Sequence, residues 1–341
     1  MTEDVALRLH GESVIIDGLN ASHFLEDRVL ERLHRGGVTA ANATIAAWHG
    51  PLETITLIAE HLARFDQHAS SIMPVRTADD ILTAKATNRV GMIFGFQDTA
   101  PIGDNLRLLA IYHALGVRVI QLTYNFENRV GCGCQAAQDT GLTPFGRAVI
   151  AEINRLGILV DLSHCGPRTT MEAIEGSHGP VAITHANPRA LLDHPRNKSD
   201  DVIRALAAMG GVIGAVGFFG LLARGRRATL DDYLDAIDYL ANLVGVDHVA
   251  LGSDFMEEMP PEVAAQVLQG LPPAALAQFT SLPPTQDFES VALLPNVTRG
   301  LLAEGGLHPG ACAKDHRREL AAAAAGRPGG AAVICPSTAV K

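Results

Sequence analysis

The feature that most restricts this chain is a recurrence: eight apolar runs rich in β-branched residues alternate with amphipathic stretches. The runs read SVIIDG (13–18), VTAANATI (38–45), VGMIFGFQ (90–97), VRVIQLTY (117–124), GILVDLSH (157–164), PVAITHA (180–186), GGVIGAVGF (210–218) and HVALGSDF (248–255). Most are continuously apolar rather than alternating, as strands covered on both faces must be. Among the intervening segments, TPFGRAVIAEINRLG opens on Thr143 before Pro144, an N-cap and first-turn pair, and stops at Gly157. Repeated strand–helix units with short connections require parallel strands and right-handed crossovers. Eight such units in roughly 250 residues match a (β/α)8 TIM barrel. The rival, an open doubly wound sheet, carries a G-x-G-x-x-G loop after its first strand, and DGLNAS is no such loop. The barrel is the expected α/β fold.

Composition narrows the function. The 341 residues, 47% hydrophobic, suffice for one large core. Acids outnumber bases 37 to 27, which argues against a nucleic-acid or anionic-membrane surface. The opening MTEDVALRLHGES lacks the basic and apolar regions of a signal peptide, and GGVIGAVGFFGLLA is too short to span a bilayer. These readings predict a soluble, cytoplasmic protein acting on a small molecule, with a homodimer allowed. Five cysteines, an odd count in a long chain, argue against a disulfide framework. Cys132 and Cys134 form a C-x-C whose plainer reading is a tight loop, not a metal clip.

Barrel active sites gather at the C-terminal strand ends. Those ends here present Asp17, Asn42, Gln97, Tyr124, His164, His185 and Asp254. Two histidines closing consecutive strands, about 4.8 Å apart, can share one zinc-like ion. Asp254 could take a proton from an activated water, or merely cap the loop that follows. Asp17 reads more readily as turn-forming structure. Arg196 and Asn197, in HPRNKSDD, stand in a polar loop over the mouth, where an arginine can grip a carboxylate in bidentate fashion. A solvated surface arginine is the equal alternative.

With these residues in hand, the chain resembles the membrane (renal-type) dipeptidases, peptidase family M19, among the metal-dependent, amidohydrolase-like barrels. The matching stretches are LGVRVIQLTYNFEN, GLTPFGRAVIAEINRLGILVDLSH, PVAITHANPRALLDHPRN and VALGSDF, in that order within 13–255. The resemblance implies a binuclear zinc barrel that cleaves dipeptides. Carried over, His164 and His185 are metal ligands, Asp254 is the proton shuttle, and Arg196 binds the substrate carboxylate. Other positions depart from the family. Its first-strand H-x-D pair is Leu19 and Ala21 here, its bridging glutamate is Gln97, and its substrate-contacting histidine after the fourth strand is Tyr124.

The losses fall on the first metal and the bridge. Two nearby dications repel unless a carboxylate neutralises them, and an amide brings no charge. A single zinc on His164 and His185, completed by Asp254, Gln97 or water, is therefore expected, with His23 as a distant reserve. Tyr124 would donate to the developing oxyanion and Asn197 would assist Arg196 in substrate binding. The alternative is a catalytically inactive relative that binds small peptides or amino-acid derivatives; a third is different chemistry in a biosynthetic route. The barrel is expected over residues 1–307. The Ala/Gly/Pro-rich segment 308–341 has too little apolar periodicity to fold and is expected to be a disordered tail, with Cys312 and Cys335 incidental.

Overall fold

A computed structural model describes residues 3–303 apart from 180, 262 and 264–282. The expected tail at 308–341 lies outside the described residues. Helix α1 (Glu3–Glu12) precedes strand β1 (Ile16–Asn20). Then follow α2 (Asp27–Arg35), β2 (Ala40–Ala46), α3 (Pro51–Gln67), β3 (Ile72–Pro74), α4 (Ala78–Ala86) and β4 (Val90–Phe96). The chain continues with α5 (Arg107–Leu115), β5 (Val117–Gln121), α6 (Pro144–Leu156), β6 (Leu159–Asp161), α7 (Pro167–Gly176) and β7 (Ala182–Ile183). It closes with α8 (Asp200–Ala208), β8 (Val212–Val216), α9 (Leu230–Val244), β9 (Val249–Gly252) and α10 (Leu294–Leu302).

The strands pair in parallel in the order β1-β2-β4-β5-β6-β7-β8-β9, so each expected run contributes one strand of the barrel. The sequence missed β3. It is three residues long and pairs only with the start of β4, from Ile72 against Val90 to Pro74 against Met92. The far end of β4 pairs instead with β5, where Phe94 faces Val117. Helix α6 forms as read: Thr143 Oγ1 accepts the Gly146 N–H at 2.9 Å, and Gly157 ends the helix at φ 72°.

Between β1 and β9 the barrel is closed past the strand ends. Asp254 N donates to Leu19 O at 3.0 Å, Ala21 N to Phe255 O at 2.8 Å, and His23 N to Glu257 O at 2.9 Å. Asp17 is the clasp. One of its oxygens accepts the Ser253 N–H at 2.8 Å; the other accepts from Ser253 Oγ and, at 3.0 Å, from Asn20 Nδ2. The structural role read for Asp17 holds, but its main partner is a strand some 236 residues away rather than its own turn.

Glycines on β8 and β9 shape the interior. A side chain at Gly214 or Gly252 would place its Cβ 2.0 Å from the Thr184 carbonyl oxygen. Those two positions must be bare to admit the backbone that follows β7. His185, the next residue, is fully buried.

Candidate active site

The polar half of the mouth is built on β5, β6 and β7. Asp161 ends β6 and accepts hydrogen bonds from Ser163 N at 3.0 Å, Thr184 N at 3.0 Å, Thr184 Oγ1 at 2.7 Å and Ser163 Oγ. The single Thr184 hydroxyl proton is thereby spent on the carboxylate. Its oxygen, 2.8 Å from His185 Nδ1, must then accept from that ring. His164 Nδ1 lies 2.8 Å from the Asn125 amide oxygen, which can only accept. Both rings are held as Nδ1–H tautomers, so both bare Nε2 atoms converge, 3.0 Å apart.

Two lone pairs at that distance repel unless a cation lies between them. Burial first, and the nearby Arg196 guanidinium second, hold both imidazoles well below their ordinary pKa. They therefore stand unprotonated at neutral pH, the state a metal requires. A hydroxyl and an amide oxygen fixing the outer nitrogens of a histidine pair is the arrangement that orients metal ligands. The fit ends there. Among the described residues, no group of three or more His, Cys, Asp or Glu side chains is arranged to hold a metal. Among the described residues the pair offers two converging nitrogen donors, and no cluster of such side chains completes a site around them.

Arg196 is only 4% exposed, so the surface-charge reading fails. Its guanidinium donates to the Ser163 and His185 carbonyls, the latter at 2.8 Å, and ties together the exits of β6 and β7 while lining the cavity. Asn197 behaves differently from expectation. Its amide nitrogen donates to Leu192 O at 3.0 Å and Leu221 O at 3.2 Å, and its oxygen accepts from Asn187 N at 3.3 Å. With these bonds made to the backbone, Asn197 shapes the loop and does not line the cavity.

Asp254 has φ 56°, a left-handed conformation uncommon outside glycine that turns the chain sharply after β9. Burial pushes its carboxyl up to about 7, against the pull of Arg196. Tyr124 stacks on His164, ring centroids 4.1 Å apart, and meets the Trp48 ring edge-on at 4.7 Å. Burial, and then the Asp254 charge, raise its phenol well above 10, so it remains a proton donor. Gln97 lines the cavity with its amide nitrogen donated to Thr44 Oγ1 at 2.9 Å, leaving the amide oxygen to offer. Asn42 is not at a strand end: β2 runs on to Ala46, and Asn42 sits below the mouth with Nδ2 bonded to Gly18 O.

Several supporting residues escaped the sequence reading. Asp98 accepts from Tyr124 N at 2.8 Å, Asn128 Nδ2 at 3.0 Å and Ala100 N at 2.7 Å, and so pins the loop that carries Tyr124. Lys198 is buried with Nζ on the Leu162 and Cys165 carbonyls at 2.9 and 2.8 Å; burial brings its pKa down to about 8. Cys132 and Cys134 are free thiols in a tight loop, the plainer of the two readings. The cysteine backbone contributes instead, with Cys134 N donating to His164 O at 2.7 Å.

The other half of the mouth is mostly apolar, interrupted by Gln97, His23, His49 and His61. Leu19 is 2% exposed, and Ala21, Phe24, Ile45, Ala46 and Trp48 line a cavity of about 260 Å³. A parallel barrel with a buried histidine pair, an acid and an arginine at the C-terminal strand ends has the layout of a barrel hydrolase. Residues 6–267 match the model of the membrane dipeptidases, peptidase family M19. The chain belongs to that family.

It is 36% identical over 189 residues to an uncharacterized dipeptidase of Schizosaccharomyces pombe, covering 53% of this chain and 45% of that one. It is 31% identical over 232 residues to the dipeptidase tcpJ of Claviceps purpurea, covering 67% and 49%. The chain thus spans about half the length of these curated relatives. Among solved structures, an amidohydrolase from Pseudomonas aeruginosa superposes with a TM-score of 0.83 at 34% identity, over 88% of this chain and 92% of that one. A metallopeptidase from Rhodobacter sphaeroides, liganded with a phosphinate mimic of L-Ala-D-Ala, shares the fold at TM-score 0.70 and 21% identity, over 87% and 94%. Among the described residues, no helix is long and apolar enough to cross a membrane.

Proposed function

We propose that this protein is a hydrolase of the dipeptidase type that cleaves a dipeptide or related amide with a single zinc ion. The observation that carries this reading is the convergence of the His164 and His185 Nε2 atoms, 3.0 Å apart, with both outer nitrogens already committed. These two residues would hold the ion, with the Gln97 amide oxygen, which lines the same cavity, as a further candidate donor. When bound, zinc supplies a Lewis acid that polarises the scissile carbonyl and acidifies the attacking water.

The chain's own groups account for the rest. Arg196, fixed by two strand-end carbonyls, presents positive charge to the substrate carboxylate at no cost in reorganisation. Asp254, near 7, can accept the proton lost by the attacking water and return it to the leaving nitrogen. Tyr124 stays protonated and can donate to the carbonyl oxygen as charge develops there. Its stacking on His164 and the hold of Asp98 on its backbone limit its movement.

One observation favours a second reading, a binding protein without turnover: among the described residues no third His, Cys, Asp or Glu side chain joins the histidine pair to make a metal-binding group. The test is amine release from a panel of dipeptides and N-acyl amino acids by zinc-loaded protein. The hydrolase reading expects release that a chelator abolishes and that Asp254→Asn slows by about 100-fold or more, the usual range for a lost acid–base group. Tight binding with no release from any member of the panel would establish the second reading instead.

A further inference from the structure

We propose that the amide cleaved here is that of an N-acylated amino acid with an apolar acyl group, rather than a dipeptide carrying a free α-ammonium. The inference rests on the amide-hydrolase reading above and on the charges that line the cavity. A dipeptide brings two charges into the site, a carboxylate and an ammonium. Among the described lining residues there is one fixed cation, Arg196, and one carboxylate, Asp254. Arg196 answers the substrate carboxylate. Asp254 already lies in the field of Arg196 and of two further carboxylates, Asp17 and Asp161.

No other described lining residue carries negative charge. His23, His49, His61 and His194 also face the cavity, and an imidazole can accept a hydrogen bond from an ammonium without neutralising it. An ammonium taken from water into such a wall loses its hydration and meets only Asp254, which already faces Arg196 and is assigned to the proton of the attacking water, so its entry is unfavourable. The wall itself offers apolar cover: Phe24, Trp48, Phe218, Phe219, Met256 and Met259. Ala21, just past the end of β1, adds to the same wall. The cavity, about 260 Å³, is far larger than the ~10–15 Å³ one water needs, so it can take a chain or ring of several carbons.

The reaction balances without a further reactant. The oxygen of water bonds to the acyl carbon, the C–N bond breaks, and the nitrogen keeps the electron pair and takes a proton. The products are the carboxylate of the acyl group and a free amino acid.

Trp48, the sole tryptophan of the chain, lies in the wall and gives a binding readout that needs no turnover. The probes are 3-phenylpropanoyl-alanine and Phe-Ala, which differ only by the ammonium, each with both configurations at alanine. Fluorescence titration of the zinc-loaded full chain is expected to show the des-amino compound binding at least tenfold more tightly. Amine release should favour it by at least the same factor in kcat/KM. Asp254→Asn should change the affinities of both probes alike, since Asp254 is not the ammonium partner, and Met256→Glu should narrow or reverse the preference. Equal or tighter binding of Phe-Ala, a selective loss of Phe-Ala binding in Asp254→Asn, or no binding of either probe would overturn the proposal. Preferential binding without amine release would leave the proposed ligand class standing and overturn the hydrolase reading alone.

Discussion

The two halves of the barrel mouth are made by the same kind of strand and end in opposite chemistry. Over β5 to β7, Asp161, Thr184, His164, His185 and Arg196 form a buried, hydrogen-bonded network. Over β1 to β4, Leu19 and Ala21 stand near the first strand end, Gln97 supplies an amide, and the mostly apolar wall carries His23, His49 and His61. The difference teaches that one strand framework supports a dense polar network on one side of its mouth and a mostly apolar wall on the other. Removing one partner from the intact half would be far more damaging, because it would strand buried polar atoms.

That contrast can be broken most severely at the histidines. His185→Ala removes one of two converging nitrogens, and metal retention and amine release should both fall below detection in a protein with unchanged circular dichroism. Arg196→Met should reduce kcat/KM by about 10³-fold, equivalent to roughly 4 kcal/mol. It also leaves the Ser163 and His185 carbonyls without their donor, so denaturant unfolding should show a loss of about 2–4 kcal/mol.

Asp17→Asn tests the closure on the apolar side. Burial raises Asp17 to about 6 from 3.8, so the folded state holds the proton more tightly than the unfolded chain does. Its contribution is full below about pH 4 and is lost as pH rises through 6. The stability of the wild type relative to Asp17→Asn should fall by about 2–3 kcal/mol between pH 4 and 7, read from urea midpoints. An unchanged difference would mean that Asp17 stays ionised in the clasp. The smallest effect is expected at Thr184→Val, which keeps shape but removes the acceptor that orients His185. Zinc affinity should weaken about 10–100-fold, measured by competition with a chromogenic chelator.

How much of this was legible in the sequence follows from how local each signal is. Strands buried on both faces write themselves as apolar runs, and all eight barrel strands were read from them. Ile72–Pro74 was not, because three residues carry no period. The histidines and Arg196 were legible from their places after apolar runs, although the sequence could not tell a buried Arg196 from a surface one. Asn42 was misread as a strand end because ANATIA mixes polar residues into a strand that continues to Ala46. Asn197 was credited with substrate contact because its three backbone partners, on Asn187, Leu192 and Leu221, are set by how the loops fold together and not by sequence spacing. The Asp161–Thr184–His185 chain was invisible for the same reason: it depends on the register between β6 and β7, where Asp161 faces Ala182. A carboxylate inside the otherwise apolar ILVDL was the one available signal.

The central claim is that the polar half of the mouth holds one dication and the apolar half none. Metal content by plasma mass spectrometry, on protein purified without chelators and dialysed against zinc, tests it most directly. The account predicts about one ion per chain, lost in His185→Ala. Two ions per chain would contradict the reading of Leu19, Ala21 and Gln97, and no bound ion would contradict the reading of the histidine pair.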